Sequence, residues 1–131
     1  MKKVLVQGSK KPTSSKQYHM FVGRWQPLHD GHKWLFNQVL NDGKNALICI
    51  RDVEPDNNNP YTAIEVYKNI YDYYEKHISN GRVKVLIIPD IEAVCFGRGV
   101  GYDIIEFEPP EVIGDISATK IREQIGVSPK R

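Results

Sequence analysis

The sequence predicts an α/β fold: one domain built on an open parallel sheet with helices on both faces. Three observations predict it. Residues 46–50 (ALICI) and 83–88 (VKVLII) are short, nearly continuous apolar runs, the pattern of strands inside a parallel sheet. Residues 30–41 and 62–78 carry apolar side chains at helical spacing, so helices precede and separate those strands. Glycine, proline and asparagine clusters punctuate the boundaries.

Bulk composition agrees. The chain has 131 residues, 40% hydrophobic and 26% charged, which is the range of ordinary globular domains. A net charge of +2 is too small to argue for a nucleic-acid partner. Lys2, Lys3, Lys10, Lys11 and Lys16 gather at the N-terminus and read as a solvated tail. The two cysteines, Cys49 and Cys95, have neither metal-ligand spacing nor a disulfide framework, which points to a reducing compartment. No apolar stretch reaches membrane length and no signal-peptide pattern is present, so a soluble cytoplasmic protein is expected.

Taken in order, residues 1–16 read as a basic tail or linker and residues 17–131 as the domain. Within the tail, Val4-Leu5-Val6 is either an edge strand or a remnant, and the sequence leaves that open. Tyr18 to Val22 is the first firm strand. Asp30 to Asn41 follows as a helix with Trp34, Leu35, Val39 and Leu40 on one side, stopped by Asn41-Asp42-Gly43. Residues 46–50 are the central strand, and 51–60 (RDVEPDNNNP) a loop. Thr62-Ala63-Ile64-Glu65 is a capping-box signature for a helix to about Ile78, with Ile64, Tyr67, Ile70, Tyr71 and Tyr74 on one side. Asn80-Gly81 ends it before the strand at 83–88. Residues 90–101 are irregular and glycine-rich. Ile104 to Phe107 is a short strand, 111–113 a further candidate strand, and Ile116 to Ile125 a closing helix.

Chemistry concentrates where the first strand gives way to the first helix, at Gly23-Arg24-Trp25-Gln26-Pro27-Leu28-His29-Asp30-Gly31-His32. Ligands in an open parallel sheet sit beyond the carboxyl ends of the strands. A helix N-terminus there offers unpaired N–H groups and the positive dipole end, and Gly31 lets a ligand approach the backbone. His29 and His32 add two imidazole donors. An i,i+3 histidine pair also occurs as a metal pair, but that needs further ligands, and only His19 and His77 remain.

These residues, with Ile116-Ser117-Ala118-Thr119-Lys120-Ile121-Arg122 near the end, resemble the nucleotidylyltransferase superfamily, which carries H-x-G-H after its first strand and I-S-x-T-x-x-R opening a late helix. The resemblance covers residues 18–125 and implies a Rossmann-like domain. The opening FVGRWQPLHDGH and the later PYTAIE are most similar to archaeal-type nicotinamide mononucleotide adenylyltransferases. Those proteins run on with further helical sequence after the late motif, whereas nine residues follow Arg122 here. Small cytidylyltransferases are closer in length, but they carry R-T-E-G before the late motif, where this chain has Ile113-Gly114-Asp115.

The resemblance implies transfer of a nucleoside monophosphate, AMP from ATP in the favoured form, to a small phosphorylated acceptor with release of pyrophosphate. His29 and His32 would be catalytic. Gly23, Arg24, Gly31, Ser117, Thr119 and Arg122 would bind the nucleotide, with Mg²⁺ carried on the triphosphate. Arg98, in the run Gly97 to Gly101, is the candidate for the acceptor. A cytidylyltransferase using CTP and a regulatory nucleotide-binding module without turnover stay as alternatives. A synthetase-like fragment, which would also carry H-x-G-H, is disfavoured by the small net charge. Neither nucleic acid nor membrane is expected as a partner, and a homo-oligomer is left open.

Overall fold

The computed structural model describes residues 2–8, 16–99 and 101–110. Three strands, β2 (His19–Gly23), β3 (Ala46–Asp52) and β4 (Val83–Pro89), form a parallel sheet in the order β2-β3-β4. Its register places Phe21 beside Ile48, and Ile48 beside Val85. Helices α1 (Asp30–Asn41) and α2 (Ala63–Tyr73) make the two crossovers, and a short α3 (Glu75–Ser79) follows α2. The parallel α/β sheet flanked by helices is as expected, but among the described residues both crossover helices pack on one face and not on both. The lone apolar triplet of the tail proves to be an edge strand: β1 (Lys2–Val6) pairs antiparallel with β5 (Ile104–Phe107) as a separate two-stranded ribbon.

One layer of core joins the helices to the sheet. Ala46, Ile48 and Ile50 of β3 and Val83 and Val85 of β4 alternate inward to meet Phe36, Val39 and Leu40 of α1 and Ala63, Val66, Ile70 and Tyr74 of the α2 region. Two right-handed crossovers stepping the same way across a sheet place their helices on the same face, and the buried set shows that arrangement. On the opposite face Met20 and Leu86 are exposed among the described residues.

Several expectations need correction. The buried residues of α1 are Phe36, Val39 and Leu40; Phe36 was not in the expected stripe and Trp34 is only partly covered. The stripe of α2 is Ala63, Val66 and Ile70, whereas Ile64 and Tyr71 are exposed. The small Ala63 and Val66 let the helix lie close to the sheet on a face rotated from the more hydrophobic-looking one. The single helix to Ile78 is broken at Tyr74 (φ −105°), whose ring is buried against Phe36 and whose hydroxyl donates to Asn37 Oδ1 at 3.3 Å. The strand at 83–88 is only half-buried, with Lys84 and Leu86 exposed. The strand expected at 111–113 and the helix at 116–125 lie outside the described residues. No helix among the described residues is long and apolar enough to cross a membrane.

Candidate functional site

The loop between β2 and α1 is held by side chains that reach the neighbouring elements. Strand β2 ends at Gly23, and Trp25 then takes a left-handed backbone (φ +52°) that non-glycine residues rarely adopt. That turn folds its buried indole back over Gly23, where a Cβ would lie 2.8 Å from ring atom Cζ2. The indole N–H donates to the Cys49 carbonyl of β3 at 3.0 Å. Next, Gln26, 2% exposed, clamps the backbone of Tyr61 at two points. Its Nε2 donates to the Tyr61 carbonyl at 2.8 Å and its Oε1 accepts from the Tyr61 N–H at 2.9 Å. Tyr61 immediately precedes Thr62, the N-cap of α2, so the clamp ties the starts of the two crossover helices together. The peptide that follows, Gln26–Pro27, is cis.

His29 is the N-cap of α1, a position usually held by Ser, Thr, Asp or Asn. Its Nδ1 accepts from the N–H groups of Gly31 (3.0 Å) and His32 (3.4 Å). In return His32 Nδ1 accepts from the His29 N–H at 3.3 Å, so the two histidines form a reciprocal capping box. Their rings stack with centroids 3.6 Å apart and planes 21° apart. The consequence is chemical. An imidazole that accepts at Nδ1 must carry its proton at Nε2, so both rings are set as Nε2–H donors.

This refines the expectation of an anion on bare helix N–H groups. The backbone N–H groups of Gly31 and His32 are already taken by His29, and the positive end of α1 acts through the imidazoles it polarises. Burial, and secondarily the charge of His29, pushes the His32 pKa down to about 3. His32 is therefore neutral at physiological pH, a donor without a net charge.

Other candidates sort by position. Arg24 follows β2 directly, and its charge is one of the smaller influences on Asp56. The Asp56 carboxyl is held below its usual range mainly by the N–H groups of Asn59 and Asn58, which it accepts at 2.7 Å and 2.8 Å. Arg98 is exposed in a turn after β4, and no described contact joins it to the histidine pair. Ser117, Thr119 and Arg122 lie outside the described residues. No group of three or more His, Cys, Asp or Glu side chains placed to hold a metal occurs among the described residues.

Sequence reasoning passed over Trp25 and Gln26, although both stand inside the motif. Gln26 had a usable signal, since a glutamine beside a proline in a tight loop has to satisfy its amide somewhere. Arg51 was also missed. At the carboxyl end of β3 its Nε and Nη2 donate to Asp90 Oδ1 at 2.8 Å and 2.7 Å, and Nη2 also reaches the Ile91 carbonyl at 3.0 Å. Nothing in the spacing of Arg51 and Asp90 announces that pairing; it follows from adjacent strands ending together.

Comparison with known proteins points the same way as the motif. No family model matches the chain. It is 32% identical over 75 residues to the nicotinamide-nucleotide adenylyltransferase of Methanococcus aeolicus, covering 56% of this chain and 42% of that protein. It is 27% identical over 94 residues to the nicotinamide-nucleotide adenylyltransferase of Thermoplasma volcanium, covering 63% of this chain and 53% of that protein. The chain thus spans about half the length of the curated relatives it matches. Both similarities are to adenylyltransferases, as the motifs implied.

Proposed function

We propose that this chain transfers AMP from ATP to a small phosphorylated acceptor, releasing pyrophosphate. The observation that carries the reading is the reciprocal capping of His29 and His32, which sets two Nε2–H donors side by side at the carboxyl edge of a parallel sheet. The names of its two relatives support adenylyl over cytidylyl transfer, and they supply nicotinamide mononucleotide as the first acceptor to test.

The chemistry asks little else of the protein. An oxygen of the acceptor phosphate attacks the α-phosphorus of ATP. The bond from that phosphorus to the bridging oxygen breaks, and pyrophosphate leaves with the electron pair. An ionised phosphate needs no general base, so catalysis rests on positioning and on stabilising charge at the five-coordinate phosphorus. His29 and His32 would donate from Nε2 to the α-phosphate and the departing oxygen. Neutrality of His32 keeps it from binding the ground-state triphosphate as a fixed cation would, reserving its hydrogen bond for charge that grows during transfer. Arg24 would approach the same phosphates from the end of β2. Ser117, Thr119 and Arg122 would hold the β- and γ-phosphates, with Mg²⁺ arriving on the triphosphate oxygens. Arg98 would contact the acceptor.

Pyrophosphate release with ATP, CTP, GTP or UTP, each with Mg²⁺ and nicotinamide mononucleotide, tests the reading. Turnover with ATP is expected. Turnover with CTP in preference would reverse the base assignment, and release with no triphosphate, despite thermal stabilisation by ATP, would favour a nucleotide-binding module.

A further inference from the structure

We propose that Trp25 is a positioning residue for the phosphate site, acting through His32; the inference rests on the function proposed above. His32 is held on two sides. Its ring stacks on His29 at 3.6 Å, and the Trp25 ring meets it in a T-shaped contact at 4.8 Å with the planes 86° apart. Among the described residues, the hydrogen bond that reaches the ring is the one from the His29 N–H to Nδ1, at 3.3 Å. A bond that long orients a ring weakly, so the two ring contacts decide where Nε2 points.

The indole itself is fixed with unusual care. Its N–H is bonded to the Cys49 carbonyl on the central strand, and its ring meets Phe36 in a T-shaped contact at 5.0 Å. His32 and Phe36 are one turn apart on α1, so the indole wedges against successive turns of that helix from a base on β3. Reaching this place requires the left-handed backbone at Trp25 and the missing side chain at Gly23. A tryptophan serving only to fill space could do so from ordinary backbone geometry, and strain of this kind persists where the surroundings over-determine it. Gly23, expected to bind nucleotide, thereby gains a second reason to be glycine: the indole occupies the space of its Cβ.

The test uses the full chain with Trp25→Leu, Trp25→Phe and Gly23→Ala. Trp25→Leu removes the aromatic ring, Trp25→Phe keeps a ring but loses the bond to Cys49, and Gly23→Ala displaces an intact indole. Long-range ¹H–¹⁵N spectra of the histidine side chains report the tautomer of His32 without reference to turnover, and pyrophosphate release gives kcat and KM. In Trp25→Leu, His32 is expected to pass from a single Nε2–H tautomer to a mixture. Its kcat should fall about 10- to 100-fold, with the KM for triphosphate moving less than about threefold. Gly23→Ala should show the same two changes, and Trp25→Phe a smaller version of both. A single Nε2–H tautomer and unchanged kcat in the folded variants would overturn the proposal and leave Trp25 as core packing. If Trp25→Leu does not fold, Gly23→Ala and Trp25→Phe decide by the same readouts. If the unaltered protein releases no pyrophosphate, the functional reading fails, and the tautomer of His32 in the variants still decides the role of Trp25.

Discussion

Residues 23–29, which leave β2, and residues 90–103, which leave β4, start from the same carboxyl edge of the sheet. In the first, Trp25, Gln26 and His29 are buried, and each spends a side-chain hydrogen bond on backbone in or beyond the loop. In the second, Val94, Phe96, Arg98 and Tyr102 are exposed, and the described anchors sit at its base and its end. At the base, Arg51 pairs with Asp90 and reaches the Ile91 carbonyl; near the end, Asp103 Oδ1 accepts from the Gly8 N–H at 3.1 Å. The difference suits a division of labour. Charge stabilisation gains from donors that need no reorganisation, whereas recognition of an acceptor tolerates a loop that adapts.

The largest effect should come from the rigid loop. His32→Ala removes one preorganised donor, and its turnover is expected to fall about 10²- to 10³-fold, with triphosphate binding retained at lower affinity. Pyrophosphate release measured beside binding of a non-hydrolysed ATP analogue checks this. Near-normal release would mean that the tightly built loop is scaffolding and the chemistry sits elsewhere.

Gln26 tests the same rigidity through stability. Gln26→Ala leaves the Tyr61 N–H and carbonyl without their partner, each at a cost of about 1–3 kcal/mol if water cannot reach it. A domain of this size should lose about 3–5 °C of melting temperature for each kcal/mol. Gln26→Glu should not rescue, because a carboxylate cannot donate to the carbonyl. A melting temperature within about 2 °C of the parent would show that the clamp is redundant.

The rigid loop was also the part least legible in advance, although its motif was the clearest signal in the chain. The boundaries of α1 were readable because Asn41-Asp42-Gly43 stops it, with Gly43 at φ +74°. The start of α2 was readable because Thr62 and Glu65 form the capping box their spacing announces, at 3.1 Å and 2.9 Å. Those signals act between near neighbours. The histidine capping box acts between near neighbours too, but it uses residues outside the usual capping vocabulary, so its spacing was read as a ligand pair alone. Trp25 on Cys49 and Gln26 on Tyr61 span 24 and 35 residues. Contacts at that separation exist only once the sheet has assembled, and no local propensity encodes them.

Acid gives a third, smaller effect. The His32 pKa falls from 6.5 to about 3 on folding, so unfolding takes up a proton anywhere between those values. This contribution favours the folded state most above pH 6.5 and is lost as the pH drops toward 3, at no more than about 1.4 kcal/mol per pH unit. Urea midpoints at pH 7 and pH 5 should therefore differ in the parent, and His32→Gln should flatten that difference. An equal slope in both proteins would assign the acid sensitivity to other groups.

The smallest effect is expected from the exposed loop. Arg98 is exposed, so any hydrogen bond it makes to an acceptor phosphate is formed against competing water and screened by salt. Exposed charge pairs contribute about 0.2–1 kcal/mol, which is a change of at most about fivefold. Arg98→Ala should accordingly raise the KM for the acceptor by no more than that, with kcat and the KM for ATP unchanged, and the rise should shrink at high ionic strength. A loss comparable to that of His32→Ala would mean that the loop closes over the acceptor and buries Arg98 in the complex, since only a desolvated guanidinium could matter so much. The contrast between the two loops would then describe the free protein alone.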